Sequence, residues 1–154
     1  MFGADVDINL YWMRPMPSAA NIVHDEMMRA MGRSLGRLQE GVKKYPQKKP
    51  ESRYGRTMTL WHSLTNSQHG QAIYSVTRVH GGVEGRWGTN VPYAPYVIDK
   101  NRQAWMHKGR WWTLQGEAKR MIPLVVKEFD TAATNIADKL GPLWDRDIII
   151  EVEL

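Results

Sequence analysis

The strongest constraint in this sequence is a repeated change in the period of its apolar residues. Ala4, Val6, Ile8, Leu10 and Trp12 alternate with Asp5, Asp7, Asn9 and Tyr11, the period-two signature of a strand with one buried face. Pro15 and Pro17 end that run, and Ser18 is a candidate N-cap. From Ala19 to about Lys44 the period becomes three to four. Val23, Met27, Ala30/Met31, Ser34/Leu35, Leu38 and Val42 form one helical stripe. A second stripe runs through Leu114, Ala118, Met121/Ile122, Val125, Phe129, Ala132/Ala133, Ile136 and Leu140. It opens at the N-cap candidate Thr113 and stops at Gly141-Pro142. Ile148, Ile150, Val152 and Leu154 then alternate with Asp147, Ile149, Glu151 and Glu153 as a closing strand.

Between the two stripes, Thr57 to Ser67 and Gln71 to His80 are rich in β-forming residues, with a turn near Asn66–Gly70. Gly81-Gly82 signals a hairpin, and Val83 to Thr89 reads as a returning strand broken by Gly85 and Gly88. Pro92-Tyr-Ala-Pro-Tyr96 leads through a short helical or irregular stretch into a tryptophan-rich loop. Strands clustered between helices predict an α+β fold: an antiparallel β-sheet, made of a meander plus terminal strands, packed against two long α-helices. Pro123 is expected to kink or split the second helix. Gly32 and Gly36 share one face of the first, where a close backbone neighbour is expected.

The 154 residues contain no sign of a linker or repeat and suit one domain, 1–154, with a basic aromatic arm at 44–56 and a Trp-rich loop at 100–112. The absence of cysteine removes disulfides, thiolate metal sites and cysteine nucleophiles. The longest apolar run, Met121 to Val126, is interrupted by Pro123, and the first residues do not resemble a signal peptide, so no membrane partner is expected.

Charge is segregated. Residues 29–56 carry nine bases against two acids, and 100–120 carry six against one. Residues 1–28 and 121–154 are acidic, with four acids to one base and seven to three. Oppositely charged patches on one chain favour head-to-tail association, and basic ones favour polyanions.

The five histidines show none of the paired spacings that place two metal ligands on one helical face, and the serines lie in no nucleophile-elbow motif. Asp5/Asp7, Asp145/Asp147 and Glu151/Glu153 could each form an acid–base or metal pair, but the same spacing arises on any strand with a wet face. Gly81 to Gly85 lacks the ending of a phosphate-binding loop. Neither an active site nor a cofactor is expected. The less ordinary features are two loops in which cations and aromatic rings interleave. In one, Lys43, Lys44, Lys48, Lys49, Arg53 and Arg56 surround Tyr45 and Tyr54. In the other, Arg102, Lys108 and Arg110 accompany Trp105, Trp111 and Trp112. That composition suits a protein interface, a non-specific nucleic-acid-binding surface, or a solvated loop.

Three ordered motifs resemble a known family. Tyr45-Pro-Gln-Lys-Lys-Pro-Glu-Ser-Arg-Tyr-Gly-Arg-Thr-Met-Thr-Leu60 is similar to the YPPxxPGSxYxRTGxL stretch of small tailed-bacteriophage proteins of the HK97 gp10-like tail-component family. Asn90-Val-Pro-Tyr-Ala-Pro-Tyr-Val97 resembles their NxxPYAPYV stretch, and Gln103 to Leu114 continues the similarity. Met58 stands where a glycine is usual, and Glu51 occupies the glycine of Pro-Gly-Ser. The resemblance spans about Lys44 to Phe129. It implies a virion structural protein of the neck or tail, a tail-completion or head–tail joining subunit, assembled in the host cytoplasm. Such subunits form rings, often sixfold, around the DNA passage. Its partners would be copies of itself, adjacent neck or tail proteins and passing double-stranded DNA. The resemblance carries over no catalytic residue.

Overall fold

The computed structural model describes residues 3–12, 20–53, 56–141 and 148–154. Strand β1 (Ala4–Trp12) is followed by helix α1 (Ala20–Gly41), a short helix α2 (Thr59–Thr65), strands β2 (Ala72–Val79) and β3 (Gly82–Thr89), helix α3 (Ala94–Ile98), helix α4 (Leu114–Leu140) and strand β4 (Ile148–Glu153). The class is α+β, with a four-stranded antiparallel sheet ordered β2-β3-β1-β4. The first strand in the chain therefore lies inside the sheet, between the hairpin and the last strand. Ser18 and Pro142 fall outside the described residues.

The alternation in β1 sets the sheet's two faces. Ala4, Val6, Ile8 and Leu10 are buried, while Asp5, Asp7 and Asn9 stay partly in water. In register with the apolar side stand Trp87, Gly85 and Val83 of β3, and Val152 and Ile150 of β4. α1 and α4 pack on each other, and α1 lies against β2 and β3. Met27, Met31, Leu35 and Leu38 from α1 and Ala118, Met121, Val125, Phe129 and Ile136 from α4 join the strands in one core. Each large side chain buried there contributes about 1.5–3 kcal/mol relative to exposure.

Ion pairs stitch the two helices along their antiparallel length. Lys139 meets Glu26, Arg33 and Arg37 share Glu128 at 2.8 and 3.3 Å, and Lys43 and Arg120 share the buried Glu117 at 3.6 and 2.8 Å. Glu117 also accepts the Lys43 backbone N–H, and Arg120 donates to the Gly41 carbonyl. These contacts occupy backbone groups at the C-terminal end of α1.

Five expectations change. The segment Thr57 to Ser67 contains helix α2, because Leu60, Ser63 and Leu64 fall at helical spacing and are the residues it buries. Ser63 hydrogen-bonds Thr89 at 2.7 Å, and the Trp87 indole donates to the Leu64 carbonyl at 2.9 Å, so the helix is fastened to β3. The meander is thus reduced to one hairpin. Its turn lies at His80-Gly81, with Gly81 at φ 70° and Gly82 already paired with Val79. Strand β3 continues through Gly85 and Gly88. A Cβ at Gly85 would collide with the Met31 sulfur, so this glycine admits α1 onto the sheet.

Helix α4 runs unsplit through Pro123, which faces solvent, where water can serve the carbonyl its missing N–H leaves free. A Cβ added at Gly32 or Gly36 would meet nothing within 4 Å, so neither glycine marks a close backbone approach. Instead Gly41 is the glycine of α1 that a neighbour crowds, since a Cβ there would overlap the Met121 sulfur.

Candidate functional site

The two cation–aromatic loops are one structure. The Tyr45 and Trp111 rings lie 4.9 Å apart at 54°, and the Arg56 guanidinium sits over both, 5.8 and 5.5 Å from their centroids. Arg56 also donates to the Pro46 carbonyl, Arg110 to the Gln47 carbonyl at 2.6 Å, and the Trp112 indole to the Lys44 carbonyl at 3.3 Å. The first loop is extended because Pro46 and Pro50 lack N–H groups, which frees its carbonyls to accept from the second.

Local capping places the second loop. The Asp99 carboxylate ends α3, accepting the backbone N–H groups of Asn101 and Arg102 at 2.8 and 3.1 Å and the Arg102 guanidinium at 3.0 Å. Burial opposes ionisation of Asp99, but these donors outweigh it and hold its pKa below the ordinary value. The Gln103 side chain donates to the Val97 and Trp111 carbonyls at 2.7 and 3.4 Å, closing the loop on itself.

Between the loops lies a cavity of ≈ 510 Å³, with Met58 and Leu60 contributed by the start of α2 and Tyr93, Tyr96 and Val97 by α3 and its approach. Such a volume is within the ordinary range for small-molecule sites, about 300–1,000 Å³. Lys49, Arg56 and Arg110 supply positive charge to the wall, and among the described residues no aspartate or glutamate lines it. Burial, followed by the positive charge of Arg110, pushes the His107 pKa down from its ordinary value. Its buried Nδ1 has no hydrogen-bond partner among the described residues. Beside the cavity Tyr93, Tyr96, Trp105 and Met106 are exposed, Trp105 by 82%.

Of the residues singled out from sequence, Tyr45, Lys49, Arg56, Arg110 and Trp111 come together at this cavity. Lys44, Lys48, Arg53 and Lys108 are exposed on the same two loops, and Trp112 is half-buried on the Lys44 carbonyl. Arg102 is engaged by Asp99 and the Gly3 carbonyl, and Lys43 by Glu117. Tyr54 lies outside the described residues. Sequence reading passed over Met58, Tyr93, Tyr96, Met106 and His107 as site residues. The signal that could have found the two tyrosines was their pairing in Pro-Tyr-Ala-Pro-Tyr, while no local pattern marks Met58, Met106 or His107.

A second charged surface belongs to the sheet. On the side away from α1, Ser75, Arg86, Asp7 and Glu153 stand in one register row, and Thr77, Glu84, Asn9 and Glu151 in the next. Arg86 donates to Asp7 at 2.9 Å and to Asp5, and those bonds raise its own pKa. A guanidinium thus occupies the space between the two aspartates where a metal would have to sit. The row still carries more acid than base.

Among the described residues, no helix is long and apolar enough to cross a membrane. No family model, curated protein or solved structure matches this chain.

Proposed function

We propose that this chain is a structural subunit of a tailed-bacteriophage virion, a neck or tail-completion protein that assembles with copies of itself into a ring around the DNA channel. The observation that carries the reading is the presence of two complementary surfaces on one molecule. One is the joined pair of loops, where Lys44, Lys48, Lys49, Arg53, Arg56, Lys108 and Arg110 have no carboxylate partner among the described residues, although the cations of α1 and α4 that face each other do. The other is the open sheet face with Asp5, Asp7, Glu84, Glu151 and Glu153. Such a pair makes a heterologous contact, which closes into a ring when the rotation between copies permits.

Exposed Trp105, Tyr96 and Met106 supply the aromatic and methionine anchors typical of interface centres. The exposed lysines of the first loop are suited to phosphate contact without base readout. The motif resemblance adds the sixfold number and the place in the virion. No step of catalysis is assigned. Native mass spectrometry of the chain and composition analysis of purified particles test the proposal. The expected result is a discrete ring, alone or in the particle, that loosens with salt. A monomer at every concentration, absent from purified virions, overturns it.

A further inference from the structure

We propose that the cavity between the two loops is a binding site for a nucleotide, with the heterocycle stacked on aromatic side chains and the phosphate held by arginine and lysine. The chemistry of the wall selects this class. Tyr45 and Trp111, in ring contact with each other, line the cavity together with Tyr93 and Tyr96 of α3 and its approach, so a flat apolar group has aromatic side chains to lie against. Arg56 lies directly over two of those rings, which puts a cation beside the stacking surface and not remote from it. A ligand that satisfies both must join a planar ring to an anion over a short distance.

The charge balance points the same way. Lys49, Arg56 and Arg110 all line the cavity, and none has a carboxylate partner among the described residues. Elsewhere on the molecule Arg33, Arg37, Arg86, Arg102 and Arg120 each have one. Arg56 and Arg110 donate to the Pro46 and Gln47 carbonyl oxygens, neutral acceptors that leave net positive charge at the wall. An anion entering here therefore gains charge-assisted hydrogen bonds without displacing an existing ion pair. His107 adds a ring to the same wall, and its buried Nδ1 has no hydrogen-bond partner among the described residues. Every residue the site uses comes from one chain, and it shares Lys49, Tyr96, Met106 and Arg110 with the proposed subunit contact.

The nucleotide could be free or one unit of a single strand, and titration of the full chain separates these sources. The probes are thymidine 5′-monophosphate, thymidine, inorganic phosphate and a short oligothymidylate, followed by calorimetry and tryptophan fluorescence. The expected result is that the monophosphate binds about tenfold or more tightly than either thymidine or phosphate, because ring and anion act together. Lys49→Gln weakens it about tenfold while leaving thymidine unchanged, and Arg56→Gln, whose side chain also lies over the Tyr45 and Trp111 rings, weakens the monophosphate by at least as much. Tyr96→Ala, at a side chain 61% exposed and outside the core, weakens both monophosphate and thymidine. Lys49 and Tyr96 are exposed, so those two variants keep the test valid if Arg56→Gln fails to fold.

An oligothymidylate that is displaced by the monophosphate and binds far more tightly supports the strand as source. Comparable affinities support the free nucleotide. A monophosphate no tighter than inorganic phosphate, or silent in both measurements, overturns the site. If the chain then still forms its ring and Tyr96→Ala weakens that ring, the cavity belongs to the subunit contact, and the assembly reading survives.

Discussion

The phenolic oxygen of Tyr45 accepts the backbone N–H of Trp61 at 2.9 Å, while the ring of the same tyrosine packs on Trp111. One side chain thereby caps the first turn of α2 and joins the two loops. The N-cap residue of that helix, Met58, provides no side-chain hydrogen bond. Tyr45→Phe is expected to cost about 1 kcal/mol, since it deprives an N-terminal helix N–H of its partner and keeps the ring. In a double-mutant cycle with Trp111→Leu, Tyr45→Leu should show a coupling of about 0.5–1.5 kcal/mol. Denaturant melts of the four proteins measure both. Additive losses would mean that the loops do not support each other.

Glycines separate sharply by neighbourhood. Gly32→Ala and Gly36→Ala, at helix positions with open space, are each expected to stabilise the protein by up to about 1 kcal/mol. Gly85→Ala should destabilise it, because the new methyl would collide with Met31 and press on Leu35. Thermal melts of the three variants should show two midpoints raised and one lowered.

Met58 occupies the left-handed region at φ 60°, a backbone conformation that L side chains rarely adopt. A non-glycine residue there carries about 1–2 kcal/mol of strain. Met58→Gly is therefore expected to be about 1 kcal/mol more stable than Met58→Ala, the reverse of their order within a helix. Equilibrium unfolding of the two variants checks the order, and equal stabilities would remove the strain.

Glu26 and Glu128 titrate below the ordinary value of 4.5. For Glu26 the largest cause is the hydrogen bond from Lys139, and for Glu128 the bond from Arg33, in both cases against the cost of burial. The folded state therefore holds these protons less tightly than the unfolded chain. Their contribution is complete at neutral pH, begins to fall as pH drops through 4.5, and is gone below the depressed folded values. Urea midpoints followed from neutral pH down into the acid range should fall over that window. Glu128→Gln should be less stable at neutral pH and show a shallower fall.

Much of the architecture follows from local pattern. The alternation of β1, the stripe and cap of α4 with Thr113 accepting from Gly116 at 3.0 Å, and the acidic wet face of the sheet are consequences of residue order, because period two and period 3.6 each expose one side to water. Helix α2 was not legible as a helix. Threonine and tryptophan favour strands when considered singly, and only the burial of Leu60, Ser63 and Leu64 against β3 decides otherwise.

The sequence by itself determined that this chain has strands at both ends, helices within, and positive charge gathered on two loops with aromatic rings. Only the tertiary structure decided that those loops are one surface, that Asp5 and Asp7 are held by Arg86, and that Tyr93 and Tyr96 line the same cavity as Arg56. The reason is physical. Period and propensity act over a few residues, whereas a cavity wall is assembled by backbone carbonyls and ring contacts between segments far apart in the chain, and their meeting is set by how the core packs.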